Sequence, residues 1–95
     1  MINTIDKADI VTSLNGRDKG KLFIVTQTRE EYSLIADGKG RKIEKPKLKK
    51  SKHLKYKDKS PDRITEKILT GEKVTNNEIR RTLAEYTSKA EVING

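Results

Sequence analysis

Short apolar, β-branched stretches alternate with polar, glycine-bearing breaks through the first part of the chain, and the spacing turns helical after Ser60. Residues 10–14 (Ile-Val-Thr-Ser-Leu) predict a first strand, and residues 21–27 (Lys-Leu-Phe-Ile-Val-Thr-Gln) a second, because β-branched and aromatic side chains suit a pleated, half-buried surface. Between them Asn15 to Lys19 and Gly20 form a turn, since Asn and Gly supply positive φ at little cost. Residues 28–31 are a polar connection, and residues 32–36 a third strand closed by a turn at Asp37-Gly38. A fourth short strand is expected over 41–44, with Pro46 at an edge or a strand end because it cannot donate to a ladder. A last short strand is expected around His53-Leu54, and Ile2 and Ile5 are expected to cover one edge of the core. So many short strands, so closely spaced by turns, predict a small barrel.

From Ser60 the signals are those of helix ends. Ser60-Pro61-Asp62 reads as an N-cap, a proline in the first helical position and an acid in the first turn. Ile64 and Ile68 stand one turn apart, and Gly71 stops the helix. Thr75-Asn76-Asn77-Glu78 is a capping box, with Val74 and Ile79 spaced as a hydrophobic staple. Ile79, Leu83 and Tyr86, extended by Ala90, share one face of a second helix over about 76–89, along which Glu85 and Lys89 are spaced to pair. Residues 92–95 are expected to fray. The predicted organisation is thus a barrel over 8–57 and a helical pair over 60–91.

Composition narrows the function. With 95 residues, 32% hydrophobic and 38% charged, the chain can build only a small core. One Phe and no Trp argue against a large apolar binding pocket. The absence of Cys excludes disulfides and thiolate metal sites and fits a reducing cytoplasm. Neither a basic-then-apolar leader nor a run near the roughly 20 apolar residues of a membrane span is present. The isoelectric point near 9.8 points to a polyanionic partner. The excess charge is concentrated: residues 39–59 hold eleven of the 22 Lys and Arg and only two acids, a net +9 in a chain of net +8. Too few bulky apolar side chains interrupt this arm for insertion into lipid, which favours nucleic acid over a membrane surface.

Within the first hairpin, Arg17, Lys19 and Lys21 stand beside Gly16 and Gly20, a pattern that projects cations from a rigid turn toward successive phosphates. The single His53 has no second ligand to make a metal site and is assigned to a strand end or the RNA backbone. Tyr56, set among lysines, is a candidate for stacking on a base, whereas Tyr32 and Tyr86 read as core or helix-face residues. No nucleophile–base–acid order, phosphate-cradling loop or dinucleotide fingerprint is present, so a non-enzyme without cofactor or metal is expected.

The turn Asn15-Gly16-Arg17-Asp18-Lys19-Gly20-Lys21 between apolar strands resembles the KOW motif of ribosomal proteins and transcription elongation factors. The likeness continues through Ala36-Asp37-Gly38, then Arg41 to Lys47, then Lys49 to Leu54. That succession looks like the KOW-containing large-subunit ribosomal proteins of archaea and eukaryotes, and is most similar to small bacterial KOW-domain RNA-binding proteins. It covers roughly residues 8–56. Leu22 and Phe23 stand where many KOW motifs carry a further glycine, which favours the ribosomal branch. The resemblance implies an SH3-like barrel that binds ribosomal RNA or a protein partner. By position it implies that Gly16 and Gly20 shape the first loop and that Arg17, Lys19 and Lys21 touch phosphate. Arg41, Lys42, Lys45, Lys47, Lys49, Lys50 and Lys52 would line the RNA-facing edge. The expectation is a monomeric, cytoplasmic RNA-binding protein, on the ribosome through ribosomal RNA and in possible contact with ribosomal proteins. Two rivals remain: a transcription-machinery interaction module that binds RNA polymerase and nascent nucleic acid, and a helix-turn-helix DNA binder reading through Asn76, Asn77, Arg80 and Arg81.

Overall fold

The computed structural model describes residues 5–94, with side chains as far as residue 91. Five strands, β1 (Asp9–Ser13), β2 (Leu22–Arg29), β3 (Tyr32–Ala36), β4 (Lys47–Lys50) and β5 (Leu54–Lys59), form one antiparallel sheet in the order β4-β3-β2-β1-β5. A single 3-10 turn, Ser51–His53, joins the two outer strands. Helices α1 (Asp62–Thr70) and α2 (Asn76–Asn94) follow.

Period-two alternation splits the sheet's apolar residues between two cores. Val11, Phe23, Val25, Ile35 and Leu54 bury one face together with Ile5. Ile10, Ile24 and Ala36 point the other way, against Ile64, Val74, Ile79 and Leu83 from the helical segment. Each fully buried Ile, Val or Phe contributes about 1.5–3 kcal/mol by leaving water. The sheet and the helices therefore share one of the two cores. Ile5 takes the covering role expected of it; Ile2, paired with it in that expectation, lies outside the described residues.

Two register shifts bend the sheet, one in β5 opposite Ile10 and Val11 and one at Thr26 of β2. An extra residue of this kind kinks a strand and increases its local twist. β4 and β5 each pair on one side only, so the sheet is open between them and the closed barrel expected is not formed. The seam is bridged by the β1–β2 loop instead. Leu14 donates its amide to the His53 carbonyl at 2.9 Å, next to β5, and Lys49 of β4 reaches the Asn15 carbonyl at 3.1 Å.

Several boundaries differ from expectation. Residues 41–44 are not a strand, because the Ile43 amide is taken by the Asn76 side chain at 2.8 Å and that of Lys45 by the Lys42 carbonyl. Pairing starts instead just past Pro46, within the lysine run. The last strand is six residues long and begins at Leu54, whereas His53 ends the 3-10 turn. Ser60 does not cap α1: the cap position is Pro61, and the Ser60 hydroxyl meets the Thr65 hydroxyl at 2.9 Å. Gly71 does end α1, in the left-handed conformation at φ 78°. The capping box forms in both directions, with the Glu78 amide on Thr75 Oγ1 at 3.1 Å and the Thr75 amide on the Glu78 carboxylate at 3.0 Å. α2 runs on to Asn94, since Lys89, Ala90 and Glu91 are compatible with helix and no Gly or Pro intervenes. Glu85, expected to pair with Lys89, pairs with Arg63 of α1 at 3.2 Å.

The β2–β3 connection has only Glu30 and Glu31 outside the strands, and Glu30 takes φ 49°. A non-glycine residue in that region carries strain that glycine lacks. Glu30→Gly is expected to raise the unfolding free energy by about 0.5–1 kcal/mol. An unchanged or lowered denaturation midpoint would contradict that assignment of strain.

Candidate nucleic-acid interface

The pairing of Ile24 with Ala36 puts the start of β2 and the end of β3 at one end of the sheet. The loops 14–21 and 37–46 therefore emerge side by side. Together they carry Arg17, Lys19, Lys21, Lys39, Arg41, Lys42 and Lys45 against three acids, Asp18, Asp37 and Glu44. Each acid is engaged within the chain. Asp37 accepts the amides of Lys39 and Arg41 at 2.8 and 2.9 Å. Glu44 accepts from the Asn76 amide nitrogen at 2.6 Å. The opposite hairpin presents Glu30 and Glu31, next to Arg29 and near Lys50 and Lys52.

Asp18 joins the two loops. It is buried, with its carboxylate 3.1 Å from Lys47 Nζ, 3.4 Å from the Arg41 guanidinium and 3.8 Å from Lys21 Nζ. Burial works to raise its pKa, but the hydrogen bond and charge of Lys47, with those of Arg41, outweigh it and hold the carboxyl below its ordinary value. The clamp fixes the basic strand against the glycine turn. Lys49 completes the contact by crossing over Gly16, where a Cβ would stand 3.5 Å from its Nζ and where φ is 77°. Gly20 also has positive φ, at 83°. Both glycines thus shape the loop as its sequence predicts.

The lysine run does not act as one bank, because a strand sends successive side chains to opposite faces. Lys47 and Lys49 reach toward loop 14–21, while Leu48 and Lys50 lie opposite Leu34 and Tyr32. Lys50 and Lys52 line a hollow with Glu30 and Glu31, away from the glycine turn. His53 is half-buried, and Tyr56 is 46% exposed on β5 opposite Val11. Burial, then the neighbouring charges of Asp9 and Asp58, push the Tyr56 phenol up, so it remains a neutral ring at physiological pH. Arg17, Lys19, Lys39, Lys42 and Lys45 are exposed and make no side-chain ion pair or hydrogen bond among the described residues.

Three residues outside the predicted set brace this end. Asn76, at the start of α2, holds Ile43 and Glu44, and Arg80 one turn later donates to the Gly38 carbonyl. Gly38 is buried with φ 78°, and a Cβ there would stand 2.5 Å from the Asn76 carbonyl oxygen. Nothing local marks Asn76 or Arg80 for this role. Asp18 did carry a signal, as a lone acid between Arg17 and Lys19. Among the described residues no helix is long and apolar enough to cross a membrane. No protein-family model matches the chain, and comparison with curated proteins returns no match.

Proposed function

We propose that the chain is an RNA-binding protein of the KOW type that acts on the ribosome through phosphates of ribosomal RNA. The observation that carries this is the pairing of loops 14–21 and 37–46 across Asp18. It leaves Arg17, Lys19, Lys39, Lys42 and Lys45 without an ion-pair partner among the described residues at one end of the sheet, where Asp18 is paired with other cations and Asp37 and Glu44 accept hydrogen bonds from amides. Two further features support an SH3-like arrangement behind it. The strand order places β5 beside β1 and β4 at the far edge, and one 3-10 turn connects those edges across a bent sheet. Recognition is by backbone charge and RNA shape, since Lys and Arg on loops are suited to phosphates and carry little base information by themselves.

The helix-turn-helix rival loses ground here. Asn76 and Arg80, two of its four base-reading candidates, are engaged with Ile43, Glu44 and Gly38 of the same chain. Binding is expected to weaken steeply with salt. Release of about six counterions gives a log–log slope near −5 on duplex and near −4 on single-stranded RNA. Fluorescence anisotropy with a labelled ribosomal RNA fragment between low and moderate salt measures this, and a nearly flat response would overturn the phosphate mechanism. Co-sedimentation with large ribosomal subunits, reversed by high salt, is the expected outcome for a ribosome-bound protein; recovery with RNA polymerase alone would move it to transcription.

A further inference from the structure

Between loop 37–41 and α2 lies a cleft of about 580 Å³. Its volume falls within the roughly 300–1,000 Å³ usual for sites that hold a small molecule. Its lining is divided by chemistry. Leu22, Leu83 and Ala84 supply apolar surface, and Lys21, Lys39 and Arg41 supply cations. Asp18 and Asp37 also border it; Asp18 is paired with Lys47, Arg41 and Lys21, and one oxygen of Asp37 accepts two backbone amides. The walls are tied together before anything binds, by Arg80 on the Gly38 carbonyl and Asn76 on the Ile43 amide. A braced cleft with an apolar side and a cationic mouth fits a molecule that is flat and apolar at one end and anionic at the other.

We infer that this cleft receives one unpaired nucleotide of the bound RNA, its base against Leu22, Leu83 and Ala84 and its phosphate at Lys21, Lys39 and Arg41. The inference rests on the RNA-binding role proposed above and sharpens it. A base held in a duplex stack cannot enter a side cleft, so the preferred target is a single strand, loop or bulge. Arg41 also offers a guanidinium plane on which a base can stack.

The test places a negative charge in the cleft. Ala84 is exposed on α2, where Glu is well tolerated as a helix former. Ala84→Glu is expected to weaken binding of a single-stranded oligoribonucleotide by about tenfold, equivalent to ~1.4 kcal/mol. Gln27→Glu adds the same charge on β2 outside the cleft lining and is expected to change affinity by less than about twofold. Ala84→Lys should bind at least as tightly as the wild type, and its thermal unfolding, with that of Ala84→Glu, checks that the fold is kept. In parallel, adenosine 5′-monophosphate should shift the amide and methyl resonances of Leu22, Leu83 and Ala84 in the unmodified protein. Inorganic phosphate should shift only the cationic mouth. Wild-type RNA binding with equal affinity for Ala84→Glu and Gln27→Glu would overturn the cleft while leaving the RNA-binding role intact. Shifts from the nucleotide that match those from phosphate alone would overturn it too, independently of any variant. Loss of all RNA binding by the wild type would remove both.

Discussion

Gly38→Ala is expected to lower the unfolding free energy by about 3 kcal/mol, the sum of a strained positive φ and a steric conflict with backbone. Gly38 takes φ 78°, where an L side chain is unfavourable by about 1 kcal/mol. The added Cβ would also stand 2.5 Å from the Asn76 carbonyl oxygen and 3.0 Å from Arg80 Cγ. The first of these is backbone at the capped start of α2, so relief requires the loop or the helix to move. Movement would stretch the Asn76–Ile43 and Arg80–Gly38 hydrogen bonds, which lie on the same contact. Gly40 provides the control. It lies two residues along the same loop, lacks positive φ and has open space where a Cβ would point. Gly40→Ala should fall within about 0.5 kcal/mol of the wild type, as surface substitutions usually do. Urea denaturation of the two variants decides the matter: equal losses would mean that loop 37–41 is not docked on α2.

The same contact shows what the chain discloses locally and what it does not. The Thr75–Glu78 capping box and the Gly71 stop depend on residues within a few positions, and both form as their spacing predicts. Strand β3 is equally plain over 32–36, because its alternation is complete within five residues. The stretch 41–44 has a comparable local pattern, yet its fate is decided by Asn76, far along the chain, which captures the amide a ladder would need. Pairing moves into the lysine run instead. There β4 tolerates its lysines because it is an edge strand, where charged side chains also discourage pairing with another chain. The density of positive charge in residues 39–59 was legible, but its division between faces was not. That division follows from where β4 begins, which local composition does not set. It separates Lys47 and Lys49, aimed at the glycine turn, from Lys50 and Lys52, beside Glu30 and Glu31.

Asp18 offers the second large effect, and pH gives it a sign. Removing the carboxylate by Asp18→Ala leaves Lys47, Arg41 and Lys21 facing one another without their common counter-ion. Fully buried pairs lose about 3–5 kcal/mol when one partner is removed. Here the cations are partly hydrated, their side chains 28%, 39% and 63% exposed respectively, so a loss of about 2 kcal/mol at neutral pH is expected. Because the folded-state pKa of Asp18 lies below 3.8, its contribution is complete above the unfolded value and disappears as pH falls through the folded one. The gap between wild type and Asp18→Ala should therefore narrow in acid. Asp9 has the opposite sign. It is buried in the β1 strand, where burial raises its pKa against the pull of the Asp6 amide. A raised folded value means stability that is present when the group is protonated and lost as pH climbs through that value. Asp9→Asn keeps an oxygen for the Asp6 amide, 2.7 Å away, and removes the buried charge, so it should stabilise the protein at neutral pH and little in acid. Unfolding free energies of the three proteins between pH 3 and 7 separate the two carboxylates. A wild-type-to-Asp18→Ala gap that stays constant across that range would show that Asp18 acts through packing, and the clamp that aligns the two basic loops would have to be sought elsewhere.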